Sequence, residues 1–123
     1  MNEEDKNWQP TYEKAHFPED KFFKYSLDKN SPAGRNKAIA FDAILGYNQG
    51  NGYDLITKVK ETVEKYPITE KESDKWGRRF NVDIELEGVN QKTGNKALVK
   101  TAWIKRNGED FLRLTTIYIL RKL

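Results

Sequence analysis

Hydrophobic side chains change their period at Pro67, and that change limits the folds open to this chain. Upstream of it, Ala38, Phe41, Ile44 and Leu45 fall on one helical stripe, and Leu55, Ile56, Val59, Val63 and Tyr66 on a second. Downstream, Phe80, Val82, Ile84 and Leu86 alternate with Asn81, Asp83, Glu85 and Glu87, the pattern of a strand with one buried and one wet face. Helices first and strands after them predict an α+β fold, with N-terminal helices packed on one face of a four-stranded antiparallel β-sheet. A chain of 123 residues is long enough to bury one core without a metal or disulfide.

Residues 1–17 carry no sustained period and read as a mobile lead-in or linker, with Trp8 and Tyr12 able to tack it onto a single domain over 18–123. Pro18 followed by Glu19 and Asp20 opens a short helix to Leu27, because proline's missing donor is harmless there and carboxylates favour the positive end of the helix dipole. The stretch NKAIAFDAIL predicts a helix ending at Gly46, and a glycine- and asparagine-rich connection then leads to the helix stopped by Pro67. Four strands are expected: an edge strand over Ile68–Ser73, then Arg79–Glu87, Ala97–Lys105 and Phe111–Leu120. The last two are joined at Asn107-Gly108, a dipeptide suited to a tight hairpin because both positions tolerate positive φ.

With no Cys and one His, disulfides and the usual zinc constellations are excluded, so no metal site is expected. No apolar run approaches the roughly 20 residues that span a bilayer, and the acidic, polar residues 1–10 lack a signal-peptide pattern. The net charge of +3 is unevenly distributed. From Val89 to Leu123, eight Lys or Arg stand against Glu109 and Asp110, giving 8 − 2 = +6, so the other 88 residues sum to −3. A basic C-terminal third suits a phosphate-bearing partner on the sheet side.

The strand Phe111–Leu120 sets Arg113, Thr115, Thr116 and Tyr118 among Leu and Ile, more hydrogen-bonding groups than packing requires. Strict alternation would put Arg113 and Thr115 on one face with Ile117, and Thr116 and Tyr118 on the other with Leu114. The chemistry these residue types fit is metal-independent RNA cleavage, in which the ribose 2′-hydroxyl attacks the adjacent phosphate and leaves a cyclic phosphate. It requires a proton acceptor, a proton donor and groups that stabilise a phosphorane-like transition state. Arg113 and Lys37 are candidates for charge stabilisation, Thr115 or Thr116 for holding a phosphate oxygen, and Tyr118 or His16 for moving a proton. Arg35, Lys100, Thr101 and Trp103 are candidates for substrate binding. Asp83, Glu85 and Glu87 share a strand face and offer an alternative, a Mg²⁺-dependent nuclease, whereas a solvated outer face explains the same spacing. A non-enzymatic binding module with a basic sheet face is the other alternative.

The segments KYSLDKNSPAGRNKAIAFDAILGY, WGRRFNVDIELEGVN, KTAWI and RLTTIYI, spanning Phe17 to Ile119, resemble domains at the C-termini of large bacterial secreted proteins and some phage-associated proteins. Such domains are similar to the toxin modules of contact-dependent growth inhibition and related polymorphic toxin systems. The expected architecture is likewise similar to the superfold shared by barnase, EndoU, tRNA-cleaving colicins and RelE. The resemblance implies an antibacterial ribonuclease, often directed at tRNA, working without a cofactor. It also implies a monomer delivered as the C-terminus of a larger effector into the target-cell cytoplasm and neutralised there by a cognate immunity protein. The matching positions are Lys37, Gly77, Arg79, Thr101, Trp103, Arg113, Leu114, Thr115, Thr116 and Tyr118; Ser31 departs from the pattern, standing where a His before Pro is expected.

Overall fold

The computed structural model describes residues 11, 13–23, 27–32 and 34–123. Trp8, Tyr12 and the middle of the helix expected over Pro18–Leu27 lie outside the described residues. The elements run β1 (Ala15–His16), α1 (Glu19–Lys21, a single turn), α2 (Arg35–Ala40), α3 (Gly52–Val63), β2 (Ile68–Asp74), β3 (Gly77–Glu87), β4 (Lys96–Arg106) and β5 (Leu112–Lys122). From Ala40 the backbone of α2 widens into a π turn over Phe41–Leu45. Ala38, Phe41 and Leu45 are buried and Ile44 partly so, the stripe expected of an amphipathic helix. A reciprocal pair of side-chain bonds from Asn48 and Asn51 caps the turn that leads into α3, whose Leu55, Val59 and Val63 are fully buried.

The fold is α+β, but the sheet is five-stranded and mixed, in the order β1-β5-β4-β3-β2. Four strands form the expected antiparallel meander. The fifth, β1, is parallel to β5, pairing Ala15 with Leu112 and His16 with Arg113. Ala15 is fully buried, and the Phe17 ring meets the Trp103 ring edge-on at 5.9 Å. Residues expected in a mobile lead-in therefore close one margin of the sheet and cover part of the core. A two-residue strand has no period to detect, and its partner lies 97 positions away in the chain.

The helices cover one sheet face, where Phe80, Val82, Ile84 and Leu86 of β3 meet Val99 and Trp103 of β4 and Leu114 and Ile117 of β5. Leu114 and Ile117 reach the same face because the ladder between β4 and β5 is interrupted. Ala102 pairs with Thr116 and Trp103 with Leu114, so Thr115 is an extra residue, and Leu120 is a second extra residue between Ile119 and Arg121. A β-bulge of this kind shifts side-chain parity by one position and increases the local twist. The sharing of faces expected along Phe111–Leu120 is corrected accordingly: Arg113 and Thr116 stand on the same side, and Ile117 belongs to the core.

The β4–β5 connection also differs from a two-residue hairpin. Gly108 has φ +84°, whereas Asn107 is not in the left-handed region, and the connection spans residues 107–111. Asn107 is instead a clamp on the neighbouring turn: its amide side chain donates to the Lys75 carbonyl at 3.0 Å and its backbone N–H donates to the Trp76 carbonyl at 3.3 Å. Gly77 completes this junction with φ +152°, and a Cβ there would meet the Lys105 carbonyl oxygen at 2.1 Å. We expect Gly77→Ala to lower stability by about 1–3 kcal/mol, as for other residues forced into glycine-only backbone regions. An unchanged denaturation midpoint would remove Gly77 from the account of how the two turns are held together.

Candidate functional site

The sheet face opposite the helices is built from Arg79, Asn81 and Asp83 of β3, Lys100, Ala102 and Ile104 of β4, and Arg113, Thr116 and Tyr118 of β5, which register directly against one another. No described helix packs on this face, and polar groups from β1 and α2 join it at the margin of β5. His16 lies beside Arg113 in the parallel ladder and is exposed. Its ring stacks on Phe111, with centroids 4.1 Å apart and planes at 21°, and the Arg113 guanidinium lies 5.0 Å from the same Phe111 ring. Phe111 thereby positions an imidazole and a guanidinium within one small neighbourhood.

Glu109 completes that neighbourhood. Arg113 donates to its carboxylate twice, Nε to Oε1 at 3.1 Å and Nη2 to Oε2 at 2.8 Å. A bidentate pair fixes both side chains more firmly than a single contact would. The bond from Arg113, helped by the charges of Arg113, Arg106 and His16, holds the Glu109 carboxyl below its ordinary value, and the Arg113 value rises correspondingly. Glu109 is therefore an anion at neutral pH. The sequence carried no signal for it, because it sits in the connecting loop, outside either strand, where no period relates it to Arg113.

A second polar group lies further along β5. Because β1 covers only Leu112 and Arg113, the margin beyond them is open, and Lys37 of α2 reaches over it to the outer face. Its ammonium donates to Thr116 Oγ1 at 3.2 Å and lies 5.2 Å from the centre of the Tyr118 ring. Arg113 and Thr116 face Ile104 and Ala102, alternate residues of β4, so with Thr115 bulged out they stand about 7 Å apart along the face, and the two groups are neighbours without being one cluster. Thr115, the bulged residue between them, donates from Oγ1 to the Ala102 carbonyl at 3.1 Å.

Lys100 stands across the ladder from Tyr118, with its ammonium 3.8 Å from Asp83, and lines a shallow cleft of about 280 Å³ with Thr69, Lys71 and Asn81. Thr101 and Trp103 are corrections: both are buried, at 0% and 1% exposure, and cannot meet a substrate. The Thr101 hydroxyl donates to the Val82 carbonyl at 2.7 Å and accepts from the Trp103 indole N–H at 2.8 Å, so these two side chains satisfy each other inside the core. Arg35 also falls outside the site. It is exposed and lines a different depression with Lys29, Asn30, Pro32 and Ile39, because two residues along a helix turn the side chain to the side opposite Lys37. Ser31 is buried and its hydroxyl accepts from the Gly34 N–H at 3.4 Å, a structural role at the entry to α2.

Asp83, Glu85 and Glu87 are exposed along β3. Among the described residues, no three His, Cys, Asp or Glu side chains are grouped so that they could hold one metal ion. Alternate residues of a strand lie nearly 7 Å apart, and Asp83 is engaged with Lys100. The row is an outer strand surface, and it does not assemble into the expected alternative metal centre. No described helix is long and apolar enough to cross a membrane.

Residues 9–121 match the family described as Domain of unknown function (DUF6883), and the chain belongs to that family. No curated protein and no solved structure matches the chain.

Proposed function

We propose that this DUF6883 domain is an antibacterial ribonuclease toxin that cleaves RNA without a metal ion, with tRNA as the leading substrate class. The observation that carries the reading is the bulge at Thr115, which gathers Arg113, Thr116 and Tyr118 on one open face beside His16, Glu109 and Lys37. An open face rimmed by cations and hydroxyls suits a polyanion, and the first group along it also holds the two proton-transfer partners the reaction needs. The α+β plan supports the reading at the level of fold class, with four of the five strands forming an antiparallel meander.

The chemistry belongs to the His16–Glu109–Arg113 group. The scissile phosphate sits against Arg113; Glu109, an anion at neutral pH, accepts the proton of the 2′-hydroxyl as its oxygen attacks phosphorus. The P–O5′ bond breaks as His16, protonated beforehand, gives its proton to the departing oxygen. The products are a 2′,3′-cyclic phosphate and a free 5′-hydroxyl, and no water is consumed. Arg113 stabilises the charge that builds on the equatorial oxygens, while Thr115, whose hydroxyl is bonded to the Ala102 carbonyl, holds the bulge that presents it. Lys37, Thr116 and Tyr118 begin about 7 Å further along the face, beyond the reach of the same phosphate oxygens, and hold the neighbouring phosphate. Lys100 adds positive charge further along the face.

The implied setting is delivery as the C-terminal part of a larger bacterial effector, action in the target-cell cytoplasm as a monomer, and neutralisation by a cognate immunity protein that covers the basic face. Incubating the domain with total RNA in EDTA should yield discrete tRNA fragments ending in cyclic phosphate. Intact RNA in that assay, across a range of protein concentrations, would sink the reading. Cleavage that appears only when Mg²⁺ is added would overturn the metal-independent chemistry.

A further inference from the structure

Beside the Arg113 group, the same face opens into a cleft of about 430 Å³ lined by Trp76, Arg79, Ile104, Arg106 and Thr115. Ile104 forms an apolar floor at 4% exposure, whereas Trp76 is 61% exposed on the β2–β3 turn. An exposed indole on an ordinary turn would be free to move, but here the backbone beneath it is pinned. The Trp76 N–H donates to Asp74 Oδ1 at 2.9 Å, Asn107 clamps the Lys75 and Trp76 carbonyls, and Gly77 lets the β4 backbone close up directly behind the ring's attachment point. The Lys75 ammonium lies over one face of the indole, 5.0 Å from its centroid, leaving one face for stacking. Arg79 is held by Asp74 at 2.6 Å, and Arg106 is exposed at the end of β4.

We propose that this cleft is a nucleobase subsite, in which an unpaired base stacks on Trp76 over Ile104 while Arg106 and Lys75 meet the phosphates on either side. The inference rests on the ribonuclease reading and deepens it by naming the substrate as single-stranded RNA at the nucleotide next to the cut. Geometry supports the placement, because Ile104 pairs directly with Arg113, and residues opposite each other in a ladder are separated by only about 5 Å. A phosphate at Arg113 and a base over Ile104 are thus within reach of a single nucleotide. A stacked indole is tolerant of sequence, and a duplex end cannot offer an unstacked base without first opening.

The test separates binding from cleavage. The intact chain is titrated with a fluorescently labelled 2′-O-methyl RNA hexamer, which cannot be cut, and with the same strand in a blunt duplex. The single strand is expected to bind more tightly, and Trp76→Ala to weaken it by about five- to a hundredfold, the range seen when one stacking aromatic is removed. Trp76→Phe is expected to keep most of the affinity, and Arg106→Ala to lower it and flatten the salt dependence. Because Trp76 is exposed, the thermal midpoint of Trp76→Ala should match that of the parent chain. Equal affinity of parent and Trp76→Ala for the hexamer, or no hexamer binding at all, overturns the subsite. Binding that depends on Trp76 in a protein that leaves unmodified RNA intact would uphold the subsite and overturn the ribonuclease reading alone.

Discussion

Arg113→Ala is expected to lower the rate of RNA cleavage by about 10²–10³-fold, the usual loss when one donor to transition-state charge is removed. The effect should fall on the chemical step, because Arg113 holds Glu109, the proposed base, in place through two bonds. Single-turnover kinetics with saturating enzyme would isolate that step from binding. Arg113→Lys keeps the charge but not the fork of two parallel donors, and it should recover only part of the activity. Little stability is at stake, since the Arg113 and Glu109 side chains remain 33% and 23% exposed and pairs with solvent access contribute weakly. Cleavage at the parent rate by a folded Arg113→Ala protein would remove this end of β5 from the mechanism.

Trp103→Ala should cost about 3–5 kcal/mol of folding stability, the range for deleting a large buried aromatic side chain. The ring is 1% exposed, meets Phe17 edge-on, and donates its indole N–H to Thr101. Its removal would leave a cavity beneath the centre of the sheet and take one partner from the buried Thr101 hydroxyl. Urea denaturation is the direct measurement, and a loss below about 1 kcal/mol would contradict the burial on which the assignment rests. The contrast with Trp76 is the informative part. Two tryptophans near the same strands carry opposite expectations, one for stability with no direct role in binding and the other for binding with little effect on stability.

The patterns that proved readable were periodic and local. Helical spacing identified the buried stripe Ala38–Phe41–Leu45 and the stripe Leu55–Val59–Val63, while alternation identified the inward row of β3. Each depends on contacts that one element makes with a single continuous core, so the side chains record it directly. Polar content likewise marked Arg113, Thr115, Thr116, Tyr118 and Lys37. His16 was marked by its chemistry alone, since the stretch around it had no period.

Polar content could not say which of these residues share a face. One extra residue at Thr115 reverses the parity of the residues from Thr116 to Ile119, until a second at Leu120 restores it, and a bulge is a property of two strands in register, with no fixed signature in either one. For the same reason Thr101 and Trp103 looked like surface candidates until the ladder set them opposite Val82 and Phe80 on the core face.

By itself, then, the sequence determined an α+β chain with a basic final strand and most of the polar side chains of the proposed site. The tertiary structure alone decided that β1 closes the sheet beside Arg113, that Lys37 comes over the open margin to Thr116, and that Glu109 and Trp76 belong to the same face. These are contacts between residues far apart in the chain. They follow from sheet register and loop packing, to which hydrophobic periodicity is blind.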